Sequence, residues 1–318
     1  MRYLLVLLAF LPSFSYANSV MLDDALRATY TACIGIDDQL SDMKRLAGIN
    51  TAVTAVGTVA GAGATATGLA KANKDAKQAQ LEKILKELQM AEDARQKTLT
   101  DVQMSELERE YQVMDGILLG LENNVVQIKS KTLAQIQELE NQSKKLGNWR
   151  TGLLAGATAT NVAGAVIAGT NRVDADLHTQ VADCIKSVNA LKNAMLSARM
   201  SGVDISEAQT IVDACDDYEY VDLSKIDTRA TGALVSSGVG AGTGAIGTIV
   251  SAVANTNATR ADNTDAGRKR EQNLNTTANV LSAGTTVATT TATVFNASQI
   301  SAIKRVASVA EKCTGVLR

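Results

Sequence analysis

The stretch that decides the fold is GALVSSGVGAGTGAIGTIVSA, residues 232–252. It contains no charged residue, and every fourth position from Gly232 to Ala252 carries a small side chain. Residues four apart lie above one another on an α-helix, so this row forms a groove with almost no side chain. A second helix backbone can approach such a groove closely. The stretch therefore predicts a long helix in close contact with another helix.

Three further stretches share this character, residues 46–70, 151–171 and 272–303. Each is free of charged side chains, and small residues recur at every fourth position within it. Close packing of helices is therefore expected along all four stretches. The glycines that we predict to be helix-packing positions are Gly57, Gly61, Gly152, Gly156, Gly164, Gly232, Gly240 and Gly244.

Residues 1–17 have the features of an export signal. Arg2 gives a positive start, residues 3–11 form an apolar run too short to span a bilayer, and Ala17 ends a cleavage site of small residues. We predict cleavage after Ala17, which gives an exported protein of the periplasm or cell envelope, outer-membrane association and secretion included. The alternative is an N-terminal membrane anchor that stays in place.

The composition of the mature chain favours an all-α fold. Its only proline, Pro12, leaves with the signal, and outside the small-residue rows the chain is rich in good helix formers. Residues 285–295 form a Thr and Val run of high β-propensity, which is the strand alternative. However, Gly284 and Ala288 continue the four-residue row through this run. The sequence therefore predicts long helices that form coiled-coil and small-residue hairpins.

The net charge argues against a nucleic-acid partner. Of the 31 Lys and Arg residues only Arg2 is lost with the signal, so 30 positive side chains face 33 Asp and Glu and the mature chain carries −3. Such a balance provides no positive field for nucleic acid.

All four cysteines lie on apolar faces of heptad-patterned helices, at Cys33, Cys184, Cys215 and Cys313. Each is either a small buried hydrophobic residue or half of a disulfide. Export and the even count favour disulfides. Because cysteine helices bracket each half of the chain, we predict the pairs Cys33 with Cys184 and Cys215 with Cys313.

The order of these features suggests two tandem segments. A cysteine helix, a row, a charged stretch, a second row and a second cysteine helix follow one another twice, with a boundary at Gly202, which suits a helix C-cap. We predict segments 18–201 and 202–318. The first would contain a coiled-coil stalk at about 71–148, with a turn between Val102 and Leu107, and the second a short hairpin. One continuous helix with a stutter is the alternative to the turn.

The sequence leaves two environments for the small-residue rows, water and lipid. Small-residue grooves are the usual device for helix association in membranes, and four crossings would place all cysteines on one side and the basic linking stretches on the other. Weak hydropathy and Asn161 within the second row argue against insertion. The sequence favours a bundle outside the bilayer core, with partial membrane contact.

At these rows the chain resembles the glycine-zipper segments of bacterial envelope proteins, some of which associate with the outer membrane or form pores. The resemblance covers about a third of the chain. It implies an envelope location and self-association through the rows, and it implies no catalytic residue.

The sequence provides no convincing catalytic, cofactor or metal site. The only histidine, His178, has no assignable nucleophile partner. Gly242, Gly244 and Gly247 match G-x-G-x-x-G, but they lie inside the glycine row rather than after a strand. An acidic run around Asp216 lacks the glycine that an EF-hand loop requires. We therefore expect neither an enzyme nor a cofactor-binding protein.

Two functional classes remain. The first is an exported, non-enzymatic helical protein of the envelope, with a structural or adaptor role through contact with a second copy or another helical protein. The second is a pore-forming or channel-like protein whose small-residue helices enter a membrane.

Overall fold

The computed structural model is all-α. It describes the backbone of residues 2–101, 108–256, 259 and 264–318, and side chains in 17–87, 89–90, 93, 126–256, 259, 264 and 266–318. The elements are α1 (Arg2–Cys33), α2 (Ile36–Asp101), α3 (Glu108–Thr170), α4 (Ala175–Met200), α5 (Ser206–Cys215), a 3₁₀ helix (Asp216–Tyr220), α6 (Ser224–Ala254) and α7 (Asp265–Leu317). Residues 285–295, the strand alternative, lie within α7.

The chain forms two compact units that interleave in sequence. Unit 1 comprises Met1–Thr58, Ala159–Ala241 and Val287–Arg318, and unit 2 comprises Val59–Thr158 and Gly242–Thr286. Each unit draws on both predicted segments, 18–201 and 202–318. The reason is that α2, α3, α6 and α7 each contribute residues to both units, so the compact units do not coincide with the expected domains.

Unit 1 contains a conventional hydrophobic core. The apolar seams of the cysteine helices are buried in it, as Leu40, Leu191 and Ile303 illustrate with no exposed surface. Burial of side chains of this size contributes about 1.5–3 kcal/mol each, relative to leaving them in water. This part of unit 1 is therefore built like a water-soluble helical domain.

Two disulfides cross this core. Cys33 is bonded to Cys184 with the Cα atoms 4.8 Å apart, and Cys215 is bonded to Cys313 with the Cα atoms 4.5 Å apart. These are the pairs expected from the order of the cysteine helices. The linked residues are 151 and 98 positions apart, so in the loop-entropy model each bond contributes about 5 kcal/mol.

Within unit 2, α2 and α3 run antiparallel. Gly63 faces Leu153, and farther along Asp75 accepts a hydrogen bond from Ser143. The sequence separation between contacting residues thus decreases toward the middle of the hairpin, as the predicted turn requires. The turn itself, between Val102 and Leu107, lies outside the described residues.

α6 and α7 form a second antiparallel pair. In unit 2 Gly247 faces Leu281, and the hydroxyl groups of Thr243 and Thr285 are 3.1 Å apart. In unit 1 Gly232 faces the ring of Phe295. A short hairpin was expected in this part of the chain, and α6 and α7 are its two arms.

The boundary at Gly202 has the expected conformation. Gly202 has φ +70°, a value that L side chains rarely adopt, and it follows the end of α4 at Met200. Its N–H group donates to the carbonyl of Arg199. The chain then turns, and the side chain of Asp204 accepts a hydrogen bond from the Ser206 N–H as α5 begins.

Candidate functional site: the interior and exterior of the small-residue helices

Several of the predicted packing glycines in unit 1 lie directly against other helices. A Cβ atom at Gly240 would come within 2.7 Å of the Asn161 side chain, and one at Gly164 within 2.9 Å of Thr54. At Gly232 it would come within 2.8 Å of the Phe295 ring. Gly57 faces Thr160 in the same way. Only glycine fits at these positions without displacement of a neighbour.

Unit 2 contains two more positions of this kind. A Cβ atom at Gly61 would come within 2.9 Å of Thr286, and one at Gly244 within 2.5 Å of Thr158. In both cases the nearest atom belongs to a threonine side chain, whose β-branched χ1 torsion is stiff. The glycines therefore bring the helix backbones into contact with polar, rigid side chains.

Gly152 and Gly156 do not follow this expectation. A Cβ atom at either glycine would meet nothing within 4 Å among the described residues, and both positions are exposed. The same holds for Gly238 and Gly242 on α6. These four glycines lie on outward faces of their helices and have no packing partner among the described residues.

Polar side chains fill the interior between the helices of unit 1. Asn50 donates a hydrogen bond to Asn296 at 3.0 Å, and Asn161 donates one to Thr289 at 2.9 Å. Asn50, Asn161, Thr289 and Asn296 are all buried. A buried amide without a partner costs about 1–3 kcal/mol, so these pairings fix which helix faces meet.

Unit 2 contains a buried arginine, Arg150. The Nε group of Arg150 donates to Ser251 Oγ at 2.8 Å, Nη1 to Asn279 Oδ1 at 3.0 Å and Nη2 to Asn275 Oδ1 at 2.9 Å. Arg150 has no exposed surface. Its three acceptors belong to uncharged side chains, so the planar guanidinium is held by a fork of neutral oxygens.

Lys71 is the second buried cation of unit 2. Its Nζ atom lies 2.6 Å from Asp75 Oδ2 and 3.4 Å from Glu271 Oε1. Asp75 also accepts a hydrogen bond from Ser143. The Lys71 ammonium group thus joins α2 to α7, and the Asp75 carboxylate joins α2 to α3.

A cavity of about 610 Å³ lies beside these cations in unit 2. Asp75, Glu271, Asn275 and Asn279 line it, and each of them already binds Lys71 or Arg150. These four lining groups thus serve the packing of the helices.

The outward faces of three small-residue helices are apolar. Between Arg45 and Lys71, every exposed position of α2 is Ala, Val, Ile or Leu. Between Arg150 and Arg172, the exposed positions of α3 are Gly, Ala or Val apart from Thr170. The exposed positions of α6 from Ala230 to Ala254 are Gly, Ala, Val or Ile.

These helices therefore reverse the usual arrangement of a soluble protein. Amides, hydroxyl groups and two cations are buried, whereas large side chains such as Val59 and Ile249 are 74% and 64% exposed. Extended apolar surface is typical of sites that contact a membrane or another protein. The hydrophobic core around the disulfides has the opposite, conventional arrangement.

Three helical stretches are long and apolar enough to cross a membrane, by length and composition. They are Ala17–Glu87, Val126–Met200 and Ser224–Ala254. Only 28% of the most apolar window in each is buried within the protein. The remaining residues of each window are partly or fully exposed.

The structure also locates the sequence features considered for chemistry. His178 lies on the exposed side of α4, and Gly242, Gly244 and Gly247 lie in the middle of α6 rather than in a phosphate-binding loop. The sulfur atoms of Cys33, Cys184 and Cys313 lie within 4.8 Å of one another. Each is part of a disulfide and so offers no thiolate to a metal ion.

Sequence reasoning missed the buried polar positions. Arg150 received no role from the sequence, and Asn161 was counted against membrane insertion. The available signal was the isolated amide within an otherwise apolar stretch, at Asn50, Asn161 and Asn296. Comparison of the chain with protein-family models, with curated proteins and with solved structures gives no match.

Proposed function

We propose that this chain is a non-enzymatic protein of the cell envelope whose small-residue helices are embedded in a membrane. In that position they anchor the disulfide-bonded helical domain and the charged α2–α3 hairpin in a structural or adaptor role. The observation that carries the proposal is the reversed polarity of these helices, with amides and cations inside and Val, Ile, Leu and Ala outside. Lipid provides a favourable environment for such outward faces, and water does not.

The lengths of the charge-free stretches suit this environment. From Arg45 to Lys71 the α2 helix rises about 39 Å, and from Arg150 to its end at Thr170 the α3 helix rises about 30 Å, at 1.5 Å per residue. The hydrocarbon core of a bilayer is about 30 Å thick. Each stretch is therefore long enough to span it with charged residues outside the core at both ends.

The disulfides support one topology. Cys33 precedes the first charge-free stretch, Cys184 follows the second, Cys215 precedes the third and Cys313 follows the fourth. If α7 crosses together with the three stretches named above, four crossings place all of them on the same side of the membrane. We assign this side to the oxidising compartment, as the two disulfides require.

The outward face of α7 is more polar than those of α2, α3 and α6. Its exposed positions include Gln272, Asn273, Thr276, Thr277, Thr290 and Thr291 as well as Val280, Val287 and Val294. The Thr291 hydroxyl donates to the Val287 carbonyl at 2.9 Å, so this donor is satisfied within its own helix. An internally bonded hydroxyl of this kind is compatible with a lipid-facing position.

Outward glycines support self-association as part of this role. Gly152 and Gly156 on α3, and Gly238 and Gly242 on α6, each form a G-x-x-x-G pair with nothing packed against it among the described residues. In membranes such pairs allow close approach of a second helix. We propose a second copy of the chain or another helical protein as the partner.

The pore alternative receives less support from these contacts. In unit 1 the Asn50 and Asn296 side chains are hydrogen-bonded to one another across the interior. In unit 2 Arg150 reaches Ser251, Asn275 and Asn279 in the same manner. These side chains pack the interior with protein atoms, which favours an anchor over a channel through one copy.

The only tryptophan, Trp149, provides a direct test. It is 67% exposed and lies next to the charge-free stretch of α3. We expect the full-length protein in vesicles to show Trp149 quenching by lipids brominated near the headgroup end of the acyl chains. Lipids brominated near the chain end should quench it less.

Two variants on a Trp149→Phe background complete the experiment. Val239→Trp places the reporter on the outward face of α6, where lipids brominated near the chain end should quench most. Tyr220→Trp replaces an 81% exposed residue of the 3₁₀ helix, where neither lipid should quench. Absence of quenching at Val239→Trp, or release of the protein from membranes by alkaline carbonate, would disprove embedding.

A further inference from the structure

Five exposed cations lie on three helices of unit 2 near the end of the charge-free stretches. We call them the basic collar, and they are Lys77, Lys144, Lys145, Lys269 and Arg270. Lys77 belongs to α2, Lys144 and Lys145 to α3, and the remaining two to α7.

Interhelical contacts place the collar residues at one level of unit 2. Ser143, which precedes Lys144, donates a hydrogen bond to Asp75, two residues before Lys77. Glu271, which follows Arg270, lies 3.4 Å from the Lys71 ammonium on α2. The three helices therefore present their exposed cations within about two turns of one another.

Three carboxylates at this level bind cations outside the collar. Asp75 and Glu271 both bind Lys71, and Glu82 binds Arg268 at 3.0 Å. Among the residues whose side chains are described, no collar cation is within 4.0 Å of a carboxylate oxygen of Asp or Glu. The collar thus presents positive charge to its surroundings.

Of the cations beside the charge-free stretches of unit 1, Arg45 and Arg172 are paired within the protein, whereas Lys304 and Arg305 are exposed and have no carboxylate oxygen within 4.0 Å among the described side chains. Arg172 pairs with Asp227 at 3.2 Å, and Arg45 pairs with Asp42 at 3.8 Å. These positive charges are compensated within the protein. An anionic partner would therefore find its complement at the collar rather than at these residues.

Apolar side chains next to the collar indicate what kind of anion it meets. Trp149 is 67% exposed and lies one helical turn beyond Lys145. Tryptophan is enriched at the boundary between headgroups and acyl chains. Beyond Trp149 the outward positions of α3 are small and apolar, so the face changes from cationic to apolar within about one turn.

We infer that the basic collar binds the headgroups of anionic phospholipids. The inference rests on the proposed membrane-embedded function and adds the class of lipid recognised. A cation near an anionic membrane surface raises the affinity by about fivefold, so two adjacent lysines should give a measurable preference. The attraction should weaken with added salt, because exposed charges are screened within about 10 Å at 0.1 M ionic strength.

The experiment compares two lipids around Trp149 in the full-length protein. Vesicles contain equal amounts of phosphatidylglycerol and phosphatidylcholine, and only one of them is brominated in each sample. We expect brominated phosphatidylglycerol to quench Trp149 more strongly, with a relative association constant of about 5 or more that falls at high salt.

Two matched variants test the residues. Lys144→Gln with Lys145→Gln should bring the relative association constant close to 1. Lys304→Gln with Arg305→Gln alters another adjacent pair of exposed cations, on α7 in unit 1, and should leave the preference unchanged. Preference retained in the first variant, or lost in the second, would overturn the assignment to the collar.

The two proposals fail in different ways. If neither brominated lipid quenches Trp149, the helices are not embedded and the proposed function fails together with this inference. If both lipids quench equally in the unaltered protein, the helices are embedded and only the headgroup preference is wrong.

Discussion

Asn50 and Asn296 are 246 residues apart in the chain, and their side chains are joined by a 3.0 Å hydrogen bond in the interior of unit 1. Asn296 also donates to the hydroxyl of Thr54 at 3.4 Å. The pair ties α2 to α7 at a position where both helices are otherwise built from small and apolar residues. A polar contact of this kind specifies which faces meet, because an alternative register would bury an unpaired amide.

A double-mutant cycle at Asn50 and Asn296 measures the coupling free energy of this contact. We expect each single Ala variant to lower the free energy of unfolding by about 1–3 kcal/mol, because one amide is left buried without its partner. The double variant should cost less than the sum, with a coupling of about 0.5–2 kcal/mol. Unfolding in detergent, followed by circular dichroism, gives the values. Strict additivity would mean that the pair is not formed.

Glycines on the two faces of α6 should respond oppositely to the same substitution. Gly240→Ala with Gly244→Ala introduces methyl groups against Asn161 and Thr158, so we expect loss of stability despite a helix-propensity gain of about 1 kcal/mol per site. Gly238→Ala with Gly242→Ala is the matched control, and in dilute detergent, where copies of the chain are separated, it should raise the melting temperature because nothing among the described residues lies within 4 Å. Equal shifts in both variants would refute close packing at the inward face.

Replacement of Arg150 by methionine or by lysine should lower the stability of the protein. Arg150→Met leaves the side-chain oxygens of Ser251, Asn275 and Asn279 without their donor, and we expect a loss of about 2–4 kcal/mol in the free energy of unfolding. Arg150→Lys keeps the charge but cannot reach three acceptors with one planar fork, so it should recover less than half of the loss. Full recovery with lysine would show that charge alone matters.

Tyr218 should be replaceable by phenylalanine without loss. Its hydroxyl is buried without a hydrogen-bond partner among the described residues, and burial together with the charge of Asp37 raises its pKa. We expect Tyr218→Phe to be neutral or to stabilise unit 1 by up to about 1 kcal/mol. Tyr220→Phe, at an exposed position, is the control and should change nothing.

Tyr218→Phe should also alter the stability of the protein at high pH. A raised pKa in the folded state favours neutral Tyr218, so this contribution is complete below the ordinary tyrosine pKa of about 10 and is lost as the pH rises above it. Stability of the unaltered protein should therefore fall above pH of about 10, and Tyr218→Phe should reduce that fall. A parallel pH dependence in both proteins would contradict the burial of the hydroxyl.

The mature protein should begin at Asn18. Small residues precede the expected cleavage site at Ala17, and the Asn18 amide donates to Ser201 Oγ at 2.5 Å, so the new terminus would lie at the end of α4. Intact-mass measurement of exported protein tests this. A mass that retains residues 1–17 would instead support the N-terminal anchor.

The local features of the fold could be predicted from sequence because they depend on neighbours along the helix. Charge-free stretches without proline predict long helices, and the structure is all-α throughout its described part. The order of the cysteine helices predicted the pairs Cys33 with Cys184 and Cys215 with Cys313, which the structure contains. Four-residue spacing likewise identified grooves, since residues four apart share a helix face.

Only the tertiary structure decided which grooves are used and what lies inside. Gly240 and Gly238 both belong to four-residue series on α6, yet the first faces Asn161 and the second faces outward. Helical periodicity fixes which residues share a face but not which face meets a partner. The partners of Asn50 and Arg150 come from helices more than a hundred residues away in sequence, so burial, hydrogen bonding and the apolar exterior emerge only when the helices assemble.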